Sequence, residues 1–408
     1  RKINILLKGE INYIIVALVM VVFFVISFIT NIIGPIIPEF IKLYDLSLVL
    51  ASLLPLSFFL AYGIFSIPSG IYLERFGGKK MMIFAFVISL IGALSISIYP
   101  NYYSILGSFF LIGSGMAILQ VVINPLLRVA VSAKNFAFYS IIGQLVFGLA
   151  SFLSPIFYGY AVKKKLNLEF FSIESMPWSI IYWMFIIASL LLIGFIINLR
   201  IPTIDLNKNE RFKGSISFSH FLKDRITYFY FFGIFCYVGV EQGINNWSSE
   251  FLFQYHGLDP NTVGVQVISS FWGNLTLGTV ISLFLVKVLD GKILLKIYSL
   301  TSALLILVAL VSSSDFSVLS FKLLGLTISG IWSVMIALAL NSISNNHGMF
   351  SGILLTGIIG GAIFPFIIAI IGQFIGLKYG MLMILFGLLY IGYVGFFARP
   401  IVSNKLII

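Results

Sequence analysis

One segment of the chain places an ionisable side chain inside an apolar run. Tyr237, Glu241 and Asn245 are spaced by four residues, so they share one face of a helix. Glu241 lies near the middle of this run, where a charged carboxylate is costly, and we expect it to carry a proton or to pair with a cation. The alternative is a structural carboxyl group that the tyrosine or the asparagine holds in place.

Uncharged amides in three other apolar runs form a second set of candidates. Pro35 has no N–H to bond the carbonyl of Asn31, so a free carbonyl and an amide project from the same place. Gln120 and Asn124 share a helix face, and Gln144 lies in the following run. Amides bond hydroxyl groups without the cost of a buried ion, so together they suit a polyol or a sugar. Alternatively, each amide only joins two neighbouring helices.

The chain carries no strong signal for an enzyme, a metal site or a cofactor. His220, His256 and His347 have no metal-ligand spacing, and neither a phosphate-binding loop nor a nucleophile elbow occurs. We therefore predict that the protein is not an enzyme. Trp272 and Trp332 are candidates to stack on a ring-shaped substrate, although most aromatic residues are expected to pack against lipid or other helices.

The composition excludes a soluble protein. Of the 408 residues, 60% are apolar and 10% are charged, whereas soluble domains carry about 25% charged residues. The net charge of +11 does not predict nucleic-acid binding, because the basic residues lie mainly between apolar runs. Twelve runs are long enough to span a bilayer: about 11–40, 48–72, 80–99, 103–129, 136–161, 178–198, 227–254, 262–288, 292–313, 317–343, 348–376 and 379–402.

The distribution of lysine and arginine predicts the orientation of these runs. Nineteen lie in the terminal and even-to-odd connections, and six lie on the other side. This excess predicts an integral protein of the bacterial plasma (inner) membrane with both termini in the cytoplasm. Lys163, Lys164 and Lys165 form a cluster that opposes the rule.

A polar stretch at about 200–225 divides the chain into halves. We interpret it as a cytoplasmic linker between two six-helix bundles, residues 1–199 and 226–408. A weak repeat supports the division, because Gly70–Lys80 and Ser282–Lys292 place Arg75 opposite Lys287. Two such halves are typical of major facilitator transporters.

The connection between the second and third runs has the pattern Gxxx(D/E)RxGx(K/R)(K/R). The residues of this pattern are Gly70, Glu74, Arg75, Gly77, Lys79 and Lys80. It resembles the signature loop of the major facilitator superfamily. We expect a gating loop in which a glycine turn holds an acid and a guanidinium that pair with neighbouring helix ends. The alternative is a solvated loop that obeys the positive-inside rule.

Several segments together resemble the fucose/proton symporter family, which includes bacterial glucose/galactose transporters. They are NxxGPIIPEF from Asn31, SFFLAYGIFSIPSGIYLERFGGKK ending at Lys80, ILQVVINP around Gln120, Gln144 with Gly148 and Ser154-Pro155, YVGVEQGINNW from Tyr237, Gly325 with Ser329, and GGAIFP from Gly360. The resemblance implies a sugar site between the halves, to which Asn274 would also belong.

The departures from this family concern the coupling ion. The family usually has an aspartate where this chain has Gly34, and an asparagine and a proline where it has Ile328 and Ser333. Thr279 replaces an arginine that is often seen. Without the carboxyl group of the first helix, four possibilities remain: Glu241 takes the proton, a cation is coupled, the protein is a uniporter, or the substrate is not a sugar.

These observations predict an all-α membrane protein with twelve transmembrane helices in the major facilitator fold. We expect a secondary transporter that moves a monosaccharide or a similar small polar solute by alternating access, coupled to a proton or sodium, without a cofactor, as a monomer in the lipid bilayer. The alternatives are a carrier for another metabolite, a siderophore or a drug, and a transporter-like membrane sensor. The candidate substrate-binding residues are Asn31, Gln120, Asn124, Gln144, Glu241, Asn245, Asn274 and Trp332.

Overall fold

The chain folds almost entirely into α-helices, as its long apolar runs predict. A computed structural model describes residues 11–164, 176, 178–201, 224–343 and 347–400. Within these ranges short turns join the helices, and no β-strand occurs. Most of the predicted linker at 200–225 lies outside the described residues, as do Lys165 and His220.

Twelve long helices make up the described part of the chain. They are α1 (Tyr13–Tyr44), α2 (Leu48–Phe76), α3 (Gly78–Ile98), α4 (Tyr102–Val131), α5 (Ile142–Lys163), α6 (Ser179–Asn198), α7 (Arg225–His256), α8 (Pro260–Val286), α9 (Gly291–Val311), α10 (Ser314–Leu340), α11 (Ile353–Ile375) and α12 (Leu377–Phe397). Eleven of these helices are long and apolar enough to cross a membrane, and α7 is the exception in this part of the chain. The polar residues at the centre of α7 lower its hydropathy, which is expected for a helix that borders a polar cavity.

Four helices of the described chain are interrupted within their spans, and the break in α12 falls in its first turn, at Met381. The break in α1 falls at Ile32, close to Pro35, which supplies no N–H to the helix. The break in α10 falls at Ser329–Gly330, and α11 contains a tighter 3₁₀ turn at Gly357–Ile359. Irregular backbone at membrane depth is tolerated only where it is buried in protein or borders a cavity. The breaks therefore indicate where a cavity is to be found.

Every residue from Tyr102 to Lys163 has helical backbone, so the connection between α4 and α5 is itself helical. The sequence predicted two separate helices there. At a rise of 1.5 Å per residue, Gln120 and Gln144 would lie about 36 Å apart on a straight helix, yet both border one cavity. The helical path therefore turns back on itself between α4 and α5.

The two halves are in contact at the end of the bundle that carries the connections after odd-numbered helices. We call this end the distal end. A Cβ atom added to Gly34 of α1 would lie 2.3 Å from the carbonyl oxygen of Asn245 in α7. A Cβ atom on Gly159 of α5 would lie 2.9 Å from the side chain of Val265 in α8. At both positions a side chain would have no room, and at Gly34 it would meet the backbone of the other half.

Hydrogen bonds between the halves accompany these glycine contacts. The backbone N–H of Val49 at the start of α2 donates to Gln373 Oε1 in α11 over 3.2 Å. The hydroxyl of Tyr158 in α5 donates to Asn261 Oδ1 at the start of α8 over 3.3 Å. The distal end is therefore closed by contacts of α1, α2 and α5 with α7, α8 and α11.

Replacing Gly34 by alanine should open the distal end. The added Cβ has no room against Asn245, and overpacking of this kind costs about 1–3 kcal/mol. We would measure maleimide labelling of purified protein carrying Cys236→Ala and Ser269→Cys. Ser269 is 4% exposed and donates to the carbonyl of Phe152 across the two halves, so its replacement reports opening. Labelling should become about fivefold faster or more in Gly34→Ala.

The matched control is Gly107→Ala, because a Cβ atom there meets nothing within 4 Å. It should label at the rate of the parent protein. If Gly34→Ala folds and labels no faster than Gly107→Ala, the contact between α1 and α7 does not hold the distal end closed.

Candidate functional site

A cavity of about 160 Å³ lies between the two halves. A single water needs only about 10–15 Å³, so the cavity has room for a small solute. The breaks of α1, α10 and α11 each contribute a residue to it, namely Asn31, Ser329 and Ile358. The polar residues that border it are Thr30, Asn31, Tyr62, Gln120 and Gln144 from the N-terminal half, and Tyr237, Glu241, Gln242, Thr276, Thr279, Ser329 and Ser333 from the C-terminal half.

Asn31 lies at the break of α1 and is held in one orientation. Its Nδ2 donates to Ser151 Oγ over 2.9 Å and to Ser27 Oγ over 3.4 Å. The two serine hydroxyl oxygens are 2.6 Å apart and link α1 to α5. The Oδ1 atom of Asn31 is buried and has no hydrogen-bond partner within the described residues. An unsatisfied buried acceptor costs about 1–3 kcal/mol, and the residue that carries it borders the cavity.

Each of α4 and α5 adds one glutamine. Gln120 is partly buried and Gln144 is exposed, and both border the cavity. The two side chains border one cavity because the helical path turns back between α4 and α5. A carboxamide donates and accepts hydrogen bonds, so the pair can bond hydroxyl groups in either direction.

The acid of α7 borders the same cavity from the other half. Tyr237 OH donates to Glu241 Oε2 over 2.8 Å, and Gln242 Nε2 donates to Glu241 Oε1 over 3.3 Å. The ring of Tyr237 lies 6.0 Å from that of Trp332, centroid to centroid. Glu241 is the only carboxyl group among the described residues that border the cavity. Glu241 therefore has both expected features. It bonds to a tyrosine, as a structural carboxyl group would, and it borders the cavity, as a proton carrier would.

Three of the candidate residues do not border the cavity. Asn124 is exposed beyond it. Asn245 is fully buried, and its Oδ1 accepts a hydrogen bond of 2.9 Å from Trp272 Nε1. Asn274 Nδ2 donates to the backbone carbonyl of Lys322 over 2.8 Å. In this conformation Asn245 supports a ring that borders the cavity, and Asn274 joins α8 to α10. A direct contact with substrate stays a prediction for all three.

The sequence analysis missed several polar residues that the structure places at the cavity. Thr30 Oγ1 donates to the carbonyl of Ile26 over 2.7 Å, and Thr276 Oγ1 donates to that of Trp272 over 2.9 Å. Such bonds within a helix let a hydroxyl group enter the membrane at little cost. Nothing in the sequence therefore separates these hydroxyl residues, or Tyr62, from those that face neighbouring helices.

The loop between α2 and α3 contains the expected glycine turn. Gly77 has a φ of +79°, a backbone conformation that favours glycine. Lys79 Nζ then donates to the carbonyls of Ile197 and Leu199 over 2.6 and 2.9 Å. Its charge therefore lies at the C-terminal end of α6, where a cation interacts favourably with the helix dipole. This lysine attaches the loop to a neighbouring helix end.

The acid and the guanidinium of the loop were expected to make such contacts. The Arg75 guanidinium lies over the ring of Phe76, 5.5 Å from its centroid. The side chain of Glu74 lies outside the described part of the structure, and Lys80 is exposed. The gating role of this loop stays a prediction.

Comparison with known proteins identifies the fold and the family. The model of the Major Facilitator Superfamily matches residues 19–254. A glucose/galactose transporter of Brucella abortus is 24% identical over 386 residues, which are 91% of each chain. A crystal structure of the Escherichia coli fucose:proton symporter has a TM-score of 0.68 at 18% identity, covering 96% of this chain and 100% of that one.

A further solved structure has the same fold. A bacterial homologue of the human lysosomal transporter Spinster, in an inward-facing and unoccupied conformation, has a TM-score of 0.77 at 13% identity, covering 95% of this chain and 96% of that one. The relative from Brucella abortus is named as a transporter and the family model matches, so the prediction that this chain is not an enzyme is confirmed. Because the family model covers more than half of the 408 residues, the chain belongs to the major facilitator superfamily.

Proposed function

We propose that this protein carries a monosaccharide or a similar small polar solute across the membrane by alternating access. The observation that carries the proposal is the cavity between the halves, where Asn31 offers an unpaired acceptor beside Gln120 and Gln144. Uncharged donors and acceptors suit a solute rich in hydroxyl groups. The names of the relatives, a glucose/galactose transporter and a fucose:proton symporter, agree with this substrate class.

The closed distal end supports alternating access. In that mechanism the two bundles, residues 1–199 and 226–408, rock about a central site so that each end opens in turn. The described structure represents one state of this cycle, in which the contacts of Gly34 and Tyr158 close the distal end. The excess of lysine and arginine at the opposite end supports an orientation in which that end and both termini lie in the cytoplasm of a bacterial cell.

Glu241 is the coupling residue in this proposal. The family's usual aspartate in the first helix is replaced by Gly34, and the close approach to Asn245 leaves no room for a side chain there. A proton on Glu241 would remove the cost of a charge beside the apolar walls of the cavity. Its bonds to Tyr237 and Gln242 would hold the deprotonated form. The carboxyl group can therefore exist in both states within one cycle.

A less polar substrate is the second candidate. Phe23, Phe59, Phe147 and Trp332 border the same cavity as the amides. Aromatic faces pack against the ring of a sugar, but they also suit a more apolar metabolite or a drug. Transport of such a solute in place of every sugar would favour this alternative.

Removing the acceptor at the break of α1 should weaken sugar transport. Purified protein in proteoliposomes should take up glucose, galactose or fucose saturably. Asn31→Ala should raise the KM for uptake about tenfold, because a substrate hydroxyl would lose a bond in a buried site. Gln144→Ala should act in the same direction, since it borders the same cavity.

The control for these variants is Asn198→Ala. The side chain of Asn198 donates to the carbonyl of Gly194 within its own helix, away from the cavity. This variant should have the KM of the parent protein. If no sugar is taken up saturably, or if Asn31→Ala and Gln144→Ala transport as the parent does, the sugar proposal is wrong.

Replacing Glu241 by glutamine should separate substrate movement from proton coupling. Glutamine resembles the protonated acid and cannot release a proton. Uptake driven by a pH gradient should therefore disappear in Glu241→Gln, while exchange of labelled for unlabelled sugar across the membrane should continue. The measurement is accumulation with and without an imposed gradient, at several pH values.

Glu250→Gln is the matched control on the same helix. Glu250 accepts a hydrogen bond of 2.7 Å from Gln254 and does not border the cavity, so this variant should keep the gradient-driven uptake. Normal proton-driven accumulation by Glu241→Gln would exclude Glu241 as the carrier. Dependence on sodium instead of pH in the parent protein would make the coupling ion a cation other than the proton.

A further inference from the structure

A second cavity lies on the outer surface of the N-terminal half, among α1, α5 and α6. We call it the α1–α5–α6 groove. It has a volume of about 510 Å³, and its walls are almost entirely apolar. Ile156 is 42% exposed and Met184 is 46% exposed, so the groove is open along its side. Since these helices span a membrane, the groove faces lipid.

The groove follows one face of α5. Leu153, Phe157 and Tyr160 line it at spacings of three and four residues. Lys163 and Lys164 follow Tyr160 by three and four residues, so they continue the same face at the distal end of the helix. Both lysines are exposed. An apolar channel therefore leads to a pair of positive charges.

The positive charges at this end are unusual for the chain. Lysine and arginine are concentrated at the opposite end, so the orientation of the protein does not require Lys163 and Lys164. Lysines at a membrane surface attract anionic lipid headgroups. The pair is accordingly suited to a phosphate group at the level of the headgroups.

The length of the groove fits one leaflet of the bilayer. Lys163 lies ten residues after Leu153, which corresponds to about 15 Å along a helix. Half of a hydrocarbon core of about 30 Å is the same length. An acyl chain whose headgroup lay at the lysines would thus run along the groove to the middle of the membrane.

We propose that the α1–α5–α6 groove is a binding site for an anionic phospholipid of the distal leaflet. Lys163 and Lys164 hold its phosphate, and an acyl chain lies against Phe28 and Phe157. This acyl chain takes the place of bulk lipid, which would fill the groove incompletely. The bound lipid packs against α1 and α5, the two helices that the Ser27–Ser151 hydrogen bond joins beside Asn31. It therefore stabilises the pair of helices that positions the amide of the central cavity.

Thermal unfolding of delipidated protein in detergent tests this site. Phosphatidylglycerol should raise the Tm saturably, with at least tenfold higher apparent affinity than phosphatidylcholine of the same acyl chains. The double variant Lys163→Ala/Lys164→Ala should reduce the affinity for phosphatidylglycerol to that for phosphatidylcholine. Lys378→Ala removes a lysine at the same end of the other half and should leave the difference intact.

A second variant tests the groove itself. Ala188 of α6 lines it, and Ala188→Phe should fill it and abolish the saturable effect of phosphatidylglycerol. Leu191→Phe is the control, because Leu191 is 69% exposed on the same helix and does not line the groove. Unchanged phosphatidylglycerol affinity in the double lysine variant, or in Ala188→Phe, would overturn the proposal. An equal rise in Tm with glycerol phosphate alone would also overturn it, because that molecule has no acyl chain.

Discussion

The cost of an unpaired polar group in hydrocarbon determines where this protein places its polar side chains. Burying such a group costs several kcal/mol of free energy unless it forms a hydrogen bond with a partner or with water. The breaks of α1, α10 and α11 and the polar centre of α7 are compatible with a membrane only because they surround one cavity. At Asn31 the Nδ2 atom is bonded to a serine, while the buried Oδ1 atom has no hydrogen-bond partner within the described residues. The site and the irregular helices thus have one physical cause.

The contact of α1 with α7 limits which residue α1 can carry at position 34. Gly34 lets the backbone of α1 reach that of Asn245, and this approach excludes any side chain at that position while the distal end is closed. Close packing and a carboxyl group at this place are therefore mutually exclusive in this state. Glu241 supplies an acid on the partner helix instead, about one turn from the contact with Asn245, where the cavity provides the space that α1 lacks.

The sequence predicts the helices and the residue types of the site well, because each polar residue in an apolar run is conspicuous. The sequence is a poorer guide to which of these polar residues border the same cavity. Asn245 and Glu241 were assigned to one helix face, yet Asn245 bonds to Trp272 because of the way in which α7 crosses α8. Thr276 was overlooked because its hydroxyl group bonds within its own helix. Helix crossings and local hydroxyl bonds leave no trace in residue spacing.

A chain of hydrogen bonds connects the acid of the cavity to the closed distal end. Gln242 donates to Glu241 over 3.3 Å, Asn245 donates to Gln242 over 3.3 Å, and Trp272 donates to Asn245 over 2.9 Å. Asn245 also provides the backbone against which Gly34 packs. Moving Glu241 away from Gln242 would leave a buried amide donor unpaired, at a cost of about 1–3 kcal/mol. Asn245 belongs both to this hydrogen-bond network and to the contact with Gly34. A rearrangement at Glu241 and the opening of the distal end therefore both change the surroundings of Asn245.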